Sequence, residues 1–264
     1  MICAPTNDNV FSFSHCFTKN VAKNDFQSHQ HNHYEILFVT NGSGIFLVED
    51  TAYEISGNTI LLIPPKQYHV LKIPPQHNYE RYILYFEPEF LPDLLKVSRP
   101  IVRQADENLL SFFRKSDFYE KEFTGEPLQI LQKALLLEIM VNLYLRKDIP
   151  ALKKAAFPEL VQGAIHYICE NLDKPLNTAN IADALFISKT YLTHIFARTM
   201  NIPLMHYVRM KKMHRAREYL RQGNSVTRTA ELLGYESYHT FLRNYSAEFG
   251  SLPSQEKHPL SDFV

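Results

Sequence analysis

The sequence predicts an α+β protein of two domains. The first is an N-terminal antiparallel β-barrel with following helices, and the second is an all-α domain in which two helix-turn-helix motifs are joined by a linking helix. Three observations predict this. Apolar and β-branched runs cut by turn residues extend to about residue 87, helical spacing takes over after Pro88, and a helix-break-helix pattern occurs twice after Pro158. At 264 residues and 45% hydrophobic content, the chain is long enough to fill two ordinary cores.

The barrel is read from "YEILFVTNGSGIFLVEDTAYEISGNTILLIPP", whose strands are broken at Asn41-Gly42, Gly44, Glu49-Asp50 and Gly57-Asn58. Turn signals at intervals of about 8 to 12 residues are the all-β template. "HNYERYILYF" adds a further strand. Ahead of it, "SHQHNHYEILFV" alternates His29, His31 and His33 before Glu35. In a strand these point to one face, and neutral imidazole is a favoured ligand for zinc, iron or copper. His69, closing "LLIPPKQYH", is the candidate fourth partner. Two readings stay open at this point. One is a metal-dependent enzyme; the other is a barrel interior that binds a small molecule by hydrogen bonds, with His29 facing solvent at the mouth and Tyr53, Tyr68, Tyr82 and Tyr85 as pocket walls.

After Pro88, "LPDLLKV", "ADENLLSFFRKSDFYE" and residues 126 to 147 carry helical spacing. In the last, Leu128, Leu131, Leu135, Ile139, Met140 and Leu143 form one stripe. Leu136, Leu137 and Val141 widen the apolar arc enough to meet a second chain. The prolines and charges of "KDIPALKKAAFPEL" mark a linker. The expected organisation is an effector-binding and dimerisation domain over 1–150, a linker over 151–158 and a helix-turn-helix domain over 159–260.

In the last of these, "LVQGAIHYICENL" puts Leu160, Ala164, Ile165 and Ile168 on one helix face. "NTANIADALFISKTYLTHIFARTM" gives a helix, a break at Phe186-Ile187, an N-cap at Ser188 and a second helix. Ile181-Ala182, Leu185, Ile187-Ser188, Leu192 and Phe196 are echoed by Thr229-Ala230, Leu233, Tyr235, Glu236-Ser237, Phe241 and Tyr245, with one extra turn residue. "IPLMHYVRMKKMHRAREYLRQG" joins the copies as one long helix ended at Gly223. Two such units would face successive major grooves about 34 Å apart.

The formal charge is zero, yet ten Lys and Arg stand against three Glu between Ser188 and Arg243. A local basic excess of this kind suits a phosphate backbone. No run approaches the roughly 18 to 20 apolar residues of a membrane span, and the first thirty residues lack a secretory pattern. Cys3, Cys16 and Cys169 form no metal-like pair. A cytoplasmic location is expected.

On these residues the chain resembles the AraC/XylS family of bacterial transcription regulators. The resemblance rests on "IADALFISKTYLTHIFARTMNIPLMHYVRMKKMHRAREYL" and "SVTRTAELLGYESYHTFLRNYSAEFGSLPS", where Gly234-Tyr235, Phe241, Gly250 and Pro253 keep the family's spacing. The N-terminal part resembles the family's cupin-type effector domain. Asn201 stands where the family usually has glycine, Lys212 replaces a frequent arginine, Thr229 a usual isoleucine, and Ser246-Ala247 a commonly basic pair.

The resemblance implies a sequence-specific DNA-binding regulator, an activator contacting RNA polymerase, that responds to a small-molecule effector in the barrel. It implies DNA contacts at Ser188, Lys189, Thr190, Thr193 and His194 on the first recognition helix, and at Ser237, Tyr238, His239, Leu242 and Arg243 on the second. Arg198, Arg209 and Lys212 would meet phosphate or pack helices. The effector site is assigned to His31, His33, Glu35, His69 and Tyr82. Only one residue separates His33 from Glu35, against three or four in enzyme-type cupins, so no metal, no cofactor and no enzymatic activity are expected. The expected partners are double-stranded promoter DNA, the effector, RNA polymerase and a second copy of the chain, with no membrane. The alternatives are a metal-dependent cupin enzyme fused to a DNA-binding module, and a ligand-independent regulator controlled by a protein partner.

Overall fold

The computed structural model describes residues 11–22, 26, 29–146, 150–152 and 154–256. Cys3 and the first linker residues, 147–149, lie outside them. The chain divides into two compact units between Ala156 and Phe157.

The first unit holds eight strands in two antiparallel sheets. β1 (Phe11–Thr18), β2 (Tyr34–Asn41), β5 (Thr59–Ile63), β7 (Tyr79–Phe86) and β8 (Ile101–Gln104) form one sheet in the order β1-β7-β2-β5-β8; β3 (Gly44–Val48), β4 (Thr51–Ile55) and β6 (His69–Lys72) form the other in the order β4-β3-β6. The expected barrel is thus a pair of sheets. Both faces of the larger one are covered. Leu37, Val39, Leu61, Ile63, Ile83 and Tyr85 meet the smaller sheet. Ile36, Phe38, Ile60, Tyr82, Leu84 and Phe86 share a second core with the helices α1 (Glu107–Glu122) and α2 (Gly125–Leu145). Burial on both faces explains why β2 and β5 read as continuous apolar runs instead of alternating ones.

"LPDLLKV" forms only a short 3-10 turn at Asp93–Leu95, and β8 follows where no strand was expected. β8 has four residues, too few for a period to register. The α1 N-cap, Asp106, accepts from the Leu109 amide at 2.9 Å and from Arg146 Nη2 at 2.8 Å, which ties the start of α1 to the end of α2. On α2 the predicted stripe packs inward at Leu135, Ile139, Met140 and Leu143, joined by Leu136. This helix corrects the membrane reading, since by length and composition alone it could cross a bilayer; here one side of it fills a core. The expected linker residues Leu152 and Ala155 are tacked onto the two sheets, Leu152 N donating to Val102 O and Ala155 N to Ala52 O.

The second unit is helical: α3 (Glu159–Glu170), α4 (Thr178–Ala184), α5 (Lys189–Met200), α6 (Leu204–Arg221), α7 (Val226–Leu232) and α8 (Tyr238–Phe249). On α3, Val161 replaces Leu160 in the buried face with Ala164, Ile165 and Ile168. Asn201 ends α5 at φ 62° and Gly250 ends α8 at φ 68°, both left-handed. Glu256 binds α6 to α8: Tyr245 donates to it at 2.7 Å, and Arg217 Nε pairs with it at 2.5 Å.

Candidate functional site

The α4–α5 and α7–α8 pairs are the two helix-turn-helix units. Ser188 Oγ accepts from the Tyr191 amide at 3.2 Å and Ser237 Oγ from the Thr240 amide at 3.3 Å. Each serine is thereby an N-cap that fixes the entry of its helix and keeps its hydroxyl proton and a second lone pair for other partners. Leu192, Phe196 and Met200 anchor the back of α5 at full burial, and Phe241 and Tyr245 that of α8. The opposite faces leave Lys189, Thr190, His194 and Arg198 exposed on α5, and Tyr238, His239 and Arg243 on α8. Arg209, on α6, is exposed as well.

Three of the expected contact residues are less exposed than these. Thr193 is half-buried, with its hydroxyl donating to the Lys189 and Thr190 carbonyls at 3.0 Å. Leu242 is half-buried against the α6–α8 core. Of the two roles expected for Lys212, the structure shows packing and corrects phosphate contact: it is 6% exposed, and its Nζ donates to Lys174 O at 2.6 Å and to Leu233 O at 2.7 Å. Burial pushes its ammonium down to about 8, so at neutral pH it remains mostly charged and both bonds are charge-assisted. This lysine ties helices together and has no reach to a phosphate. Sequence reasoning passed over Tyr191, half exposed near the start of α5, because helical aromatics are ordinarily core.

The turns of the two units differ instructively. Position 186 in the first corresponds to 234 in the second, and both are left-handed, at φ 55° and 65°. A Cβ on Gly234 would lie 2.9 Å from Asp173 O, whereas Phe186 projects a ring that is 95% exposed. Glycine is therefore demanded by backbone contact in the second turn. In the first, solvent tolerates a strained phenylalanine.

In the first unit the histidines do not lie along a strand, because β2 begins only at Tyr34. They converge instead. His31 Nε2 lies 3.0 Å and His69 Nε2 3.2 Å from Glu35 Oε2, and His29 Nε2 is 3.1 Å from His69 Nε2. His29, expected at the solvent mouth, belongs to the cluster; its alternation with His31 was the available signal. His33 does not. Its ring stacks on His31 at 4.0 Å, its carbonyl accepts from His31 Nδ1 at 2.9 Å, and burial pushes its imidazole down to about 3. Burial also lowers His31. At Glu35 burial opposes ionisation, but the bonds from His31 and His69 outweigh it and hold the carboxyl well below its ordinary range.

Glu35, His29 and His69 border a cavity of about 50 Å³ between the sheets, with Leu37, Phe46, Leu71 and Ile83 as apolar walls and Tyr79 and Arg81 as polar ones. Arg81 is buried and donates to Thr18 Oγ1 at 2.5 Å. The Tyr79 hydroxyl has no hydrogen-bond partner among the described residues. Tyr82, assigned to this site, is corrected: it faces α1, where its hydroxyl donates to Asp117 at 2.6 Å. On β7, Tyr79, Arg81, Ile83 and Tyr85 face the cavity, and Tyr82, Leu84 and Phe86 face the helices.

Residues 14–116 match the model of an AraC-like ligand binding domain, and residues 181–258 that of a helix-turn-helix domain. The HTH-type transcriptional regulator YfiF of Bacillus subtilis is 27% identical over 252 residues, covering 85% of this chain and 76% of its own. The regulatory protein SoxS of Salmonella typhimurium is 33% identical over 103 residues, which span 39% of this chain and 96% of SoxS. Among solved structures, ToxT of Vibrio cholerae is 13% identical, with 93% of this chain and 96% of ToxT covered at a TM-score of 0.38.

Proposed function

The chain belongs to the AraC/XylS family of DNA-binding transcription regulators, and from that premise we infer that it reads promoter DNA through α5 and α8 and answers to an effector held between its two sheets. The observation that carries this reading is the repeated serine-capped helix with a buried apolar back and an exposed polar front. Lys189, Thr190 and His194 on α5, and Tyr238, His239 and Arg243 on α8, reach base edges or phosphates. Arg243 suits bidentate pairing with guanine, while Arg198 and Arg209 position the protein on phosphate. The output is occupancy of DNA in the cytoplasm, without turnover, and the direction we infer is activation through RNA polymerase.

Two copies act together. Ile130, Leu137, Val141 and Tyr144 leave a second apolar stripe exposed along α2, the face we assign to the homodimer. An effector shifts how two DNA-binding units are presented only through differential affinity for the two arrangements.

The test is fluorescence anisotropy on the protein's own upstream DNA and on scrambled DNA over a salt series. Wild type prefers its own site with a steep salt slope. Arg243→Ala loses about 1–3 kcal/mol of that preference. Equal weak binding to both DNAs at every salt, with and without effector candidates, rejects the reading.

A further inference from the structure

We propose that His29, His31, Glu35 and His69 form a binding site for a divalent transition metal inside the effector-binding unit. One ligand atom from each lies within 4.8 Å of all the others. Three of the separations are 3.0, 3.1 and 3.2 Å, close to the roughly 3.3 Å edge of a tetrahedron with metal–nitrogen bonds of about 2.0 Å. The outer contacts fit as well. The Nδ1–H of His31 donates to His33 O, and that of His69 to Gln67 O, both at 2.9 Å. A backbone carbonyl on one ring nitrogen fixes the tautomer that turns the Nε2 lone pair toward an ion, which is the usual support of a metal-bound histidine.

The donors also select the ion. Three imidazoles and one carboxylate favour zinc, iron, cobalt, nickel or copper over magnesium and calcium. Glu35 is 5% and His69 2% exposed, while His29 and His31 are half-buried, so the site is shielded from bulk solvent on the Glu35 and His69 side. Its open side is the cavity that Tyr79 and Arg81 line. At about 50 Å³ this cavity holds water, an ion or a ligand of a few atoms, well under the roughly 300 Å³ at which drug-sized sites begin. The expectation of no metal had Glu35 moved along the barrel from its enzymatic place. With the histidines on an irregular segment ahead of β2, that displacement does not arise.

This deepens the effector reading and rests on it only for the link to DNA. The full chain, stripped with chelator, is titrated with Co(II) followed by visible d–d absorption and then with competing Zn(II), beside His29→Ala and Glu35→Gln. Thermal unfolding and circular dichroism check each variant's fold. His29 is only half-buried, so its variant keeps the test open if Glu35→Gln fails to fold. One equivalent per chain, weakened at least about 100-fold in the folded variants, supports the site. Absence of ligand-field bands in wild type, or wild-type affinity in both variants, overturns it. Anisotropy on upstream DNA with and without metal separates the two readings. A shift in DNA affinity makes the ion an effector, and bound metal with unchanged DNA affinity supports a structural ion. Loss of specific DNA binding in every form sinks the regulator reading and leaves the metal result standing.

Discussion

Replacing Lys212 by methionine keeps the length of the side chain and removes its three donors. The wild-type ammonium bonds two carbonyls, Lys174 O and Leu233 O, in a place almost closed to water. Hydrogen bonds to a charged group contribute about 1.5–3 kcal/mol each, and a buried carbonyl left without a donor costs about 1–3 kcal/mol. Because methionine recovers the packing of the stem, we expect a net loss of about 3 kcal/mol from the helical unit. The chain has no tryptophan, so urea unfolding is followed by far-ultraviolet circular dichroism. Anisotropy at temperatures where the variant is still folded gives the second readout. A lysine on phosphate would add about 0.9 to the slope of log affinity against log salt; the structural lysine described here leaves that slope unchanged. Unaltered stability together with a salt slope lowered by about one would refute the reasoning.

Three further outcomes follow from the geometry. Phe186→Gly relieves a left-handed residue whose ring contacts almost nothing, and we expect it to raise stability by about 0.5–1 kcal/mol, read as an upward shift in Tm; a loss of stability would mean that the ring packs on something. For Glu256, burial opposes ionisation, but Tyr245 and Arg217 outweigh it and depress its pKa below the ordinary 4.5. Its contribution is therefore complete above pH 4.5 and is lost as pH falls through the depressed value, so Glu256→Gln should lower stability at neutral pH and flatten the acid limb below 4.5; parallel wild-type and variant profiles would contradict this. Leu137→Glu places a charge on the exposed α2 stripe and should convert dimers to monomers in light scattering without unfolding the chain, whereas an unchanged mass would move the dimer contact elsewhere.

Much of this architecture could be read before any coordinates, and the exceptions have particular causes. The helix-turn-helix pairs announce themselves because caps, breaks and buried positions repeat, so each copy checks the other. Lys212 escaped because charge count does not reveal burial: a lysine on a basic helix looks the same whether it meets solvent or two carbonyls. Tyr82 escaped for a different reason. A period of two groups residues by face without saying which face meets which neighbour, and β7 is covered on both. The histidine cluster was half legible. His31, Glu35 and His69 were identified by type and spacing, but strand geometry was extended to residues ahead of Tyr34, where β2 begins, which kept His33 in line with Glu35 and left His29 farthest out, at the mouth.

The contact between the Gly234 turn and the loop at Asp173 to Pro175, with Lys212 tying that same loop to Leu233, fastens the second helix-turn-helix to the ground on which the first one stands. On the proposed reading of α5 and α8, the helical unit then acts as a calliper whose opening these contacts hold. One base pair inserted between the two stretches of DNA that it grips would rotate one groove by about 35°, and the duplex, not the protein, would have to untwist to restore the fit. Tolerance of operator spacing is then a property of the DNA sequence between the contacts, set by how easily those uncontacted steps deform.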